Sequence, residues 1–135
     1  MEYTLNIRGR LMDLSHPQVM GIINVTPDSF YEGSRKQTER EIAMRAEEIL
    51  AQGGSMIDIG AFSTRPGACE VSEEEEGRRL RWALDIVRRE VHDAVVSVDT
   101  YRPALARRCR HHQRRERRRS DGHRQHADTR SGKHV

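Results

Sequence analysis

The chain has 135 residues, of which 33% are charged, 35% hydrophobic and 4% aromatic, and its formal net charge is +3. That length suits about one domain, and no run approaches the roughly 20 apolar residues of a membrane span. The opening Met1-Glu2-Tyr3-Thr4-Leu5-Asn6 lacks the basic-then-apolar pattern of a signal peptide, and two cysteines, Cys69 and Cys109, form no disulfide framework and suit a reducing cytoplasm.

Leu5 to Ile7 and the turn around Gly9 read as a short strand or hairpin. Val19-Met20-Gly21-Ile22-Ile23 is a continuous apolar run that ends in Asn24. Thr38-Glu39-Arg40-Glu41 then has capping-box spacing, Ile42, Ala46, Ile49 and Leu50 fall on one helical face, and Gly53-Gly54 supplies a stop. Met56-Ile57-Asp58-Ile59-Gly60 is a second run. Ser72-Glu73-Glu74-Glu75 is a second capping box, with Glu73 to Glu76 where a helix dipole favours negative charge and Arg88 and Arg89 near the other end. Leu80, Ala83, Leu84, Val87 and Val91 make the buried stripe of that helix. Ala94-Val95-Val96-Ser97-Val98 is the third run, ending in Asp99, and Pro103 suits the first turn of a third helix.

The three runs recur about every 37–39 residues, the size of a strand, loop and helix unit. Short β-branched runs with little alternation suit strands buried on both faces of a parallel sheet. The fold class is therefore α/β with right-handed crossovers. Two architectures fit, an open doubly wound sheet or the first part of a (β/α)8 TIM barrel, and both put the site at the carboxyl ends of the strands.

The unusual residues gather there. Asn24-Val25-Thr26-Pro27-Asp28-Ser29-Phe30 follows the first run, Ser63-Thr64-Arg65-Pro66-Gly67 the second, and Asp99-Thr100 ends the third. Asn24 offers a carbonyl oxygen to a hard cation such as Mg2+, which also takes substrate phosphates as ligands. Thr64 and Arg65 suit phosphate oxygens, and Asp99 can accept hydrogen bonds from an amino-substituted heterocycle. Singly, each has a plain structural reading: Asn24 and Asp99 as helix caps, Asp28-Ser29 as a turn. Three loops converging on one rim favour a site.

Met20-Gly21-Ile22-Ile23-Asn24-Val25-Thr26-Pro27-Asp28-Ser29-Phe30 resembles the first signature of dihydropteroate synthase, the folate-pathway enzyme inhibited by sulfonamides. Asp58-Ile59-Gly60 with Ser63-Thr64-Arg65-Pro66-Gly67 resembles its second signature, and Ser97-Val98-Asp99-Thr100 its third strand, so that the likeness covers about residues 5–108. The resemblance implies the first three βα units of a (β/α)8 barrel. It also implies condensation of 6-hydroxymethyl-7,8-dihydropterin diphosphate with 4-aminobenzoate to give 7,8-dihydropteroate and diphosphate. On that likeness Asn24 holds Mg2+, Thr64 contacts the diphosphate and Asp99 holds the pterin ring. Asp28 and Phe30, with Ser63, Arg65 and Pro66, close over the aminobenzoate. A cytoplasmic location and a homodimer of the complete enzyme are further implications. The related pterin-binding methyltransferase domain is the second enzyme reading, which the diphosphate-type loops 24–30 and 63–67 weigh against.

Two departures stand out. Ala61-Phe62 replaces the Gly-Glu pair common in the second signature. The pattern also stops near Arg108. Residues 1–108 hold 15 Lys+Arg against 18 Asp+Glu, whereas residues 109–135 hold 9 against 3, five of the seven histidines, and only Cys109, Ala127 and Val135 as hydrophobic residues. Such a segment buries too little apolar surface to offset its ordering entropy, so the core is expected before residue 109 and a disordered basic tail over 109–135. The overall pI near 9.2 belongs to that tail. A nucleic-acid arm and a His-based metal site are the alternatives for it. It has one cysteine, no aromatic for base stacking and no carboxylate at ligand spacing, and an out-of-frame translation accounts for its Arg, His, Gln and Ser mixture better. Three units without the later strands leave edges and inward faces unpartnered, including some of Val19, Ile22, Ile57, Ile59, Val96 and Val98. The chain is accordingly expected to be marginally folded, to self-associate and to turn over little or no substrate.

Overall fold

The computed structural model describes residues 3–7, 9–25, 35–62, 66–67 and 70–112. Strands β1 (Thr4–Ile7) and β2 (Arg10–Asp13) form an antiparallel hairpin around Gly9, whose N–H donates to Asn6 Oδ1 at 2.8 Å. Strands β3 (Met20–Asn24), β4 (Met56–Gly60) and β5 (Val95–Asp99) form a parallel sheet in that order. Helices α1 (Arg35–Ala51) and α2 (Glu73–Glu90) make the crossovers, and α3 is described over 103–112.

Local chemistry explains the ends of these elements. Ser72 is extended at the start of α2, and its hydroxyl accepts from the Glu75 N–H at 3.2 Å, as the capping box predicts. The Thr38 box does not cap α1: that helix already runs from Arg35, so Thr38 sits inside its first turns, where its competing side-chain preference is overridden by the packed face further along. At the other end, Gly53 N–H donates to Leu50 O and Gly54 N–H to Ile49 O, with Gly53 at φ 94°. This is the paired-carbonyl stop that favours glycine, because a Cβ is strained in the left-handed region.

The strands pair in register, so Gly21, Ile57 and Val96 share one face with Ile23, Ile59 and Val98. Ile57 and Ile59 are fully buried there against Ile42, Ala46 and Ile49 of α1 and Leu80, Ala83, Leu84 and Val87 of α2. Gly21 permits the approach of α1, since a Cβ at that position would lie 2.5 Å from the Ile49 side chain. The expected burial on both faces is not met. Ile22 is 57% exposed and Met20 46%, because no helix among the described residues covers their face, while Val19, also exposed, precedes β3.

The core also reaches beyond residue 108. Leu105 and Cys109, one turn apart on α3, are both buried, and His112 Nε2 lies 2.6 Å from Asp85 Oδ1 of α2. Burial pushes the Cys109 thiol up, with Arg81 partly opposing, which keeps it protonated at neutral pH. The rest of the basic segment, from residue 113, lies outside the described residues.

Exposed Met20 and Ile22, on a sheet whose outer strands β3 and β5 have no further partner among the described residues, are a template for association. Sedimentation velocity is expected to show species larger than a monomer, and Ile22→Lys should shift them toward monomer with an unchanged far-UV circular dichroism spectrum. A wild-type chain that stays monomeric at every concentration would contradict this.

Candidate functional site

Asn24, Gly60 and Asp99 are the last residues of β3, β4 and β5, and they pair with one another across the sheet. They therefore stand side by side at the carboxyl ends, on the face opposite the helices. Gly60 is the reason the two flanking side chains converge. A Cβ there would lie 3.1 Å from Asn24 Oδ1 and 3.9 Å from Asp99 Oδ2, so the missing side chain leaves space between an amide oxygen and a carboxylate. Both Asn24 and Asp99 are exposed, as a ligand-binding pair must be. One layer down, Asp58 lies between Ile22 and Ser97 and is half-buried. It belongs to the second apolar run, and its alternation with Ile57 and Ile59 is the signal that places it on this face.

An amide oxygen beside a carboxylate is a hard donor pair, and such oxygens suit Mg2+. Among the described residues no group of three or more His, Cys, Asp or Glu is placed to hold a metal by itself.

Of the other residues expected at the rim, Pro66 is described and exposed. Asp28, Phe30, Ser63, Thr64 and Arg65 lie outside the described residues. Phe62, at the position of the departure from the Gly-Glu pair, meets the Tyr101 ring edge-on, with centroids 5.1 Å apart at 63°. This joins the segment after β4 to the segment after β5 beside Asp99.

Beneath the rim is a network that the sequence reading missed. Glu76 was expected to serve only the dipole of α2, yet it is fully buried. Its Oε1 accepts from Thr100 Oγ1 at 2.6 Å and its Oε2 from Arg102 Nη1 at 2.6 Å. Arg102 also donates from Nη2 to Val71 O at 2.9 Å and from its backbone N–H to Thr100 Oγ1 at 3.2 Å, and its guanidinium lies 5.0 Å from the Tyr101 ring centroid. Four consecutive glutamates gave no clue to which was buried; the helical phase with Leu80, Ala83 and Leu84 did.

A groove of about 330 Å3, lined in part by Ile7, Leu11, Met12, Ser55, Arg88 and Val95, lies between the hairpin and the amino ends of β4 and β5. It is at the opposite end of the strands from Asn24 and Asp99, and so plays no part in this site.

Residues 20–115 match the family model described as pterin binding enzyme, a match that runs past Arg108. The dihydropteroate synthase of Escherichia coli (strain K12) is 42% identical over 100 residues, which are 74% of this chain and 35% of that protein. Among solved structures, the Xanthomonas albilineans dihydropteroate synthase with 4-aminobenzoic acid superposes with a TM-score of 0.70 at 36% identity, covering 83% of this chain and 41% of that one. The Anaplasma phagocytophilum dihydropteroate synthase with bound 6-hydroxymethylpterin-monophosphate gives 0.63 at 33% identity, covering 70% and 37%. The chain spans about a third of the length of the curated relatives it matches.

The buried ion pair sets a stability test. Removing one partner strands the other charge, which costs about 3–5 kcal/mol, whereas exposed pairs contribute about 0.2–1 kcal/mol. In urea unfolding, Arg102→Ala is expected to lose several kcal/mol and Arg45→Ala, whose pair with Glu48 is half exposed, less than about 1 kcal/mol. Equal losses would show that the Glu76 pair has no special weight.

Proposed function

The chain belongs to the pterin-binding enzyme family, and from that premise we propose that it carries the amino-terminal part of a dihydropteroate synthase, the first three βα units of a (β/α)8 barrel. The reaction of the complete barrel joins the 6-hydroxymethyl-7,8-dihydropterin group, as its diphosphate, to the amine of 4-aminobenzoate. Its products are 7,8-dihydropteroate and diphosphate, and its setting is cytoplasmic folate synthesis. The observation that carries this reading is the row Asn24–Gly60–Asp99, in which two ligand oxygens flank a gap at the carboxyl rim.

Each residue has a role in this reading. Asp99 accepts hydrogen bonds from the amino-substituted edge of the pterin, and a charged acceptor makes such bonds the stronger kind. Asn24 would hold Mg2+ through its amide oxygen, and the bound ion would supply positive charge to the departing diphosphate. Thr64 donates its hydroxyl to the same diphosphate. Asp28, Phe30, Ser63, Arg65 and Pro66 lie along the aminobenzoate, where Arg65 suits its carboxylate. The two segments exclude water, which would otherwise compete with the arylamine for the electron-poor methylene carbon.

The coverage of relatives by a third also bears on activity. Asn24 and Asp99 reach the substrate from one side only, so the chain alone lacks the oriented, water-free site that condensation needs. It is expected to form no measurable dihydropteroate, yet to bind the pterin diphosphate weakly in a Mg2+-dependent way. Asn24→Ala should abolish the Mg2+ dependence, and Asp99→Ala should weaken binding about tenfold with or without the ion, the value of one charged hydrogen bond. Fluorescence titration of the pterin checks both. Binding that ignores both substitutions, or turnover by the chain alone, would overturn the reading.

A further inference from the structure

We infer that Glu76 is a positioning residue for Asp99, acting through Thr100 and Arg102. This deepens the proposed function, since the use of Asp99 rests on that reading, but the positioning itself is a property of this chain.

The buried charge of Glu76 is directed at the turn that follows β5. Asp99 ends β5 and the chain then leaves the sheet, so nothing in the strand ladder fixes the residues that follow it. The next two polar side chains, Thr100 and Arg102, are both bound to one carboxylate, each at 2.6 Å. That carboxylate belongs to the first turn of α2, where the unpaired N–H groups of the helix favour a negative charge. Arg102 is further bound to Val71 O, immediately before the helix, and its own N–H closes the turn onto Thr100. The Tyr101 ring contacts both the Arg102 guanidinium and the Phe62 ring. Every residue from 100 to 102 is thereby tied to α2 or to the segment after β4. A fully desolvated glutamate is an expensive way to stabilise a fold, and hydrophobic substitutes are often as good. What it adds is direction: two short charge-assisted or hydroxyl hydrogen bonds leave the turn one geometry. Asp99 inherits that geometry, and its Oδ2 stays beside the gap over Gly60.

The alternative is that Glu76 only stabilises the contact of α2 with α3, where Leu105 packs against Gly77. The two roles differ in what happens to Asp99 in a folded variant. The test uses the whole 135-residue chain with 13C,15N-labelled aspartate, at a dilution where it is monomeric. The Asp99 side-chain couplings report its χ1 rotamer without any ligand, and 6-hydroxymethylpterin is the binding probe. In Glu76→Gln, which keeps an oxygen for Thr100 but loses the charge paired with Arg102, Asp99 should change from one rotamer to an average of several. Pterin binding should weaken about tenfold. Glu76→Asp should recover part of both. Thr100→Val removes a single hydrogen bond and serves as the second variant if Glu76→Gln does not fold; it should loosen the Asp99 rotamer likewise.

Unchanged Asp99 couplings in either folded variant would overturn the inference. If the wild-type chain fails to bind 6-hydroxymethylpterin, the proposed function is what fails, and the rotamer comparison still decides the role of Glu76.

Discussion

In-register parallel pairing of three strands governs the rest of this molecule. Because side chains alternate along a strand and matching registers share a face, one set of residues meets the helices and the other faces away. Ile23, Ile57, Ile59 and Val98 go to the helices with the interiors of α1 and α2. Asn24, Asp58, Gly60 and Asp99 are committed to the opposite face by the same arithmetic. The site is thus a consequence of the core: moving β5 by one residue would bury Asp99 among apolar side chains and expose Val98.

The two faces also differ in how they are stabilised. The helix side is close-packed and apolar, and truncating one of its large side chains, such as Ile59 or Leu84, removes transfer energy and leaves a cavity. The carboxyl rim is held instead by polar bonds of defined direction, centred on Glu76. Such a network contributes less net energy than its bond count suggests, since the charges give up water to form it. It is suited to holding a loop in one conformation, which packing alone does less well.

Much of this was legible in the chain itself. The apolar runs at 19–23, 56–60 and 94–98, the Ser72 cap, the Gly53-Gly54 stop and the hairpin at Gly9 are short-range signals, and all took the form their chemistry implies. The misreadings were of context. Thr38 has a cap's spacing but lies within a helix that already runs from Arg35. The runs lack alternation because they suit burial on two faces, while only one is covered among the described residues. Ile22 shows the difference. Cys109 belongs to the core although the composition changes around it, because helical phase from Leu105, not local polarity, decides what faces α2. Glu76 could not be singled out from its three neighbours by charge. Its partners Thr100 and Arg102 are 24 and 26 residues away, beyond any local pattern.

On the proposed function, this chain supplies one side of a pterin site, through Asn24 and Asp99, on a sheet face that further βα units would cover. Co-expressing it with the part of the Escherichia coli relative that it does not match would test this most directly. The account predicts dihydropteroate formation by the purified pair, absent from either piece, and lost on Asp99→Ala in this chain. No formation by the assembled pair, or formation indifferent to Asn24 and Asp99, would contradict it.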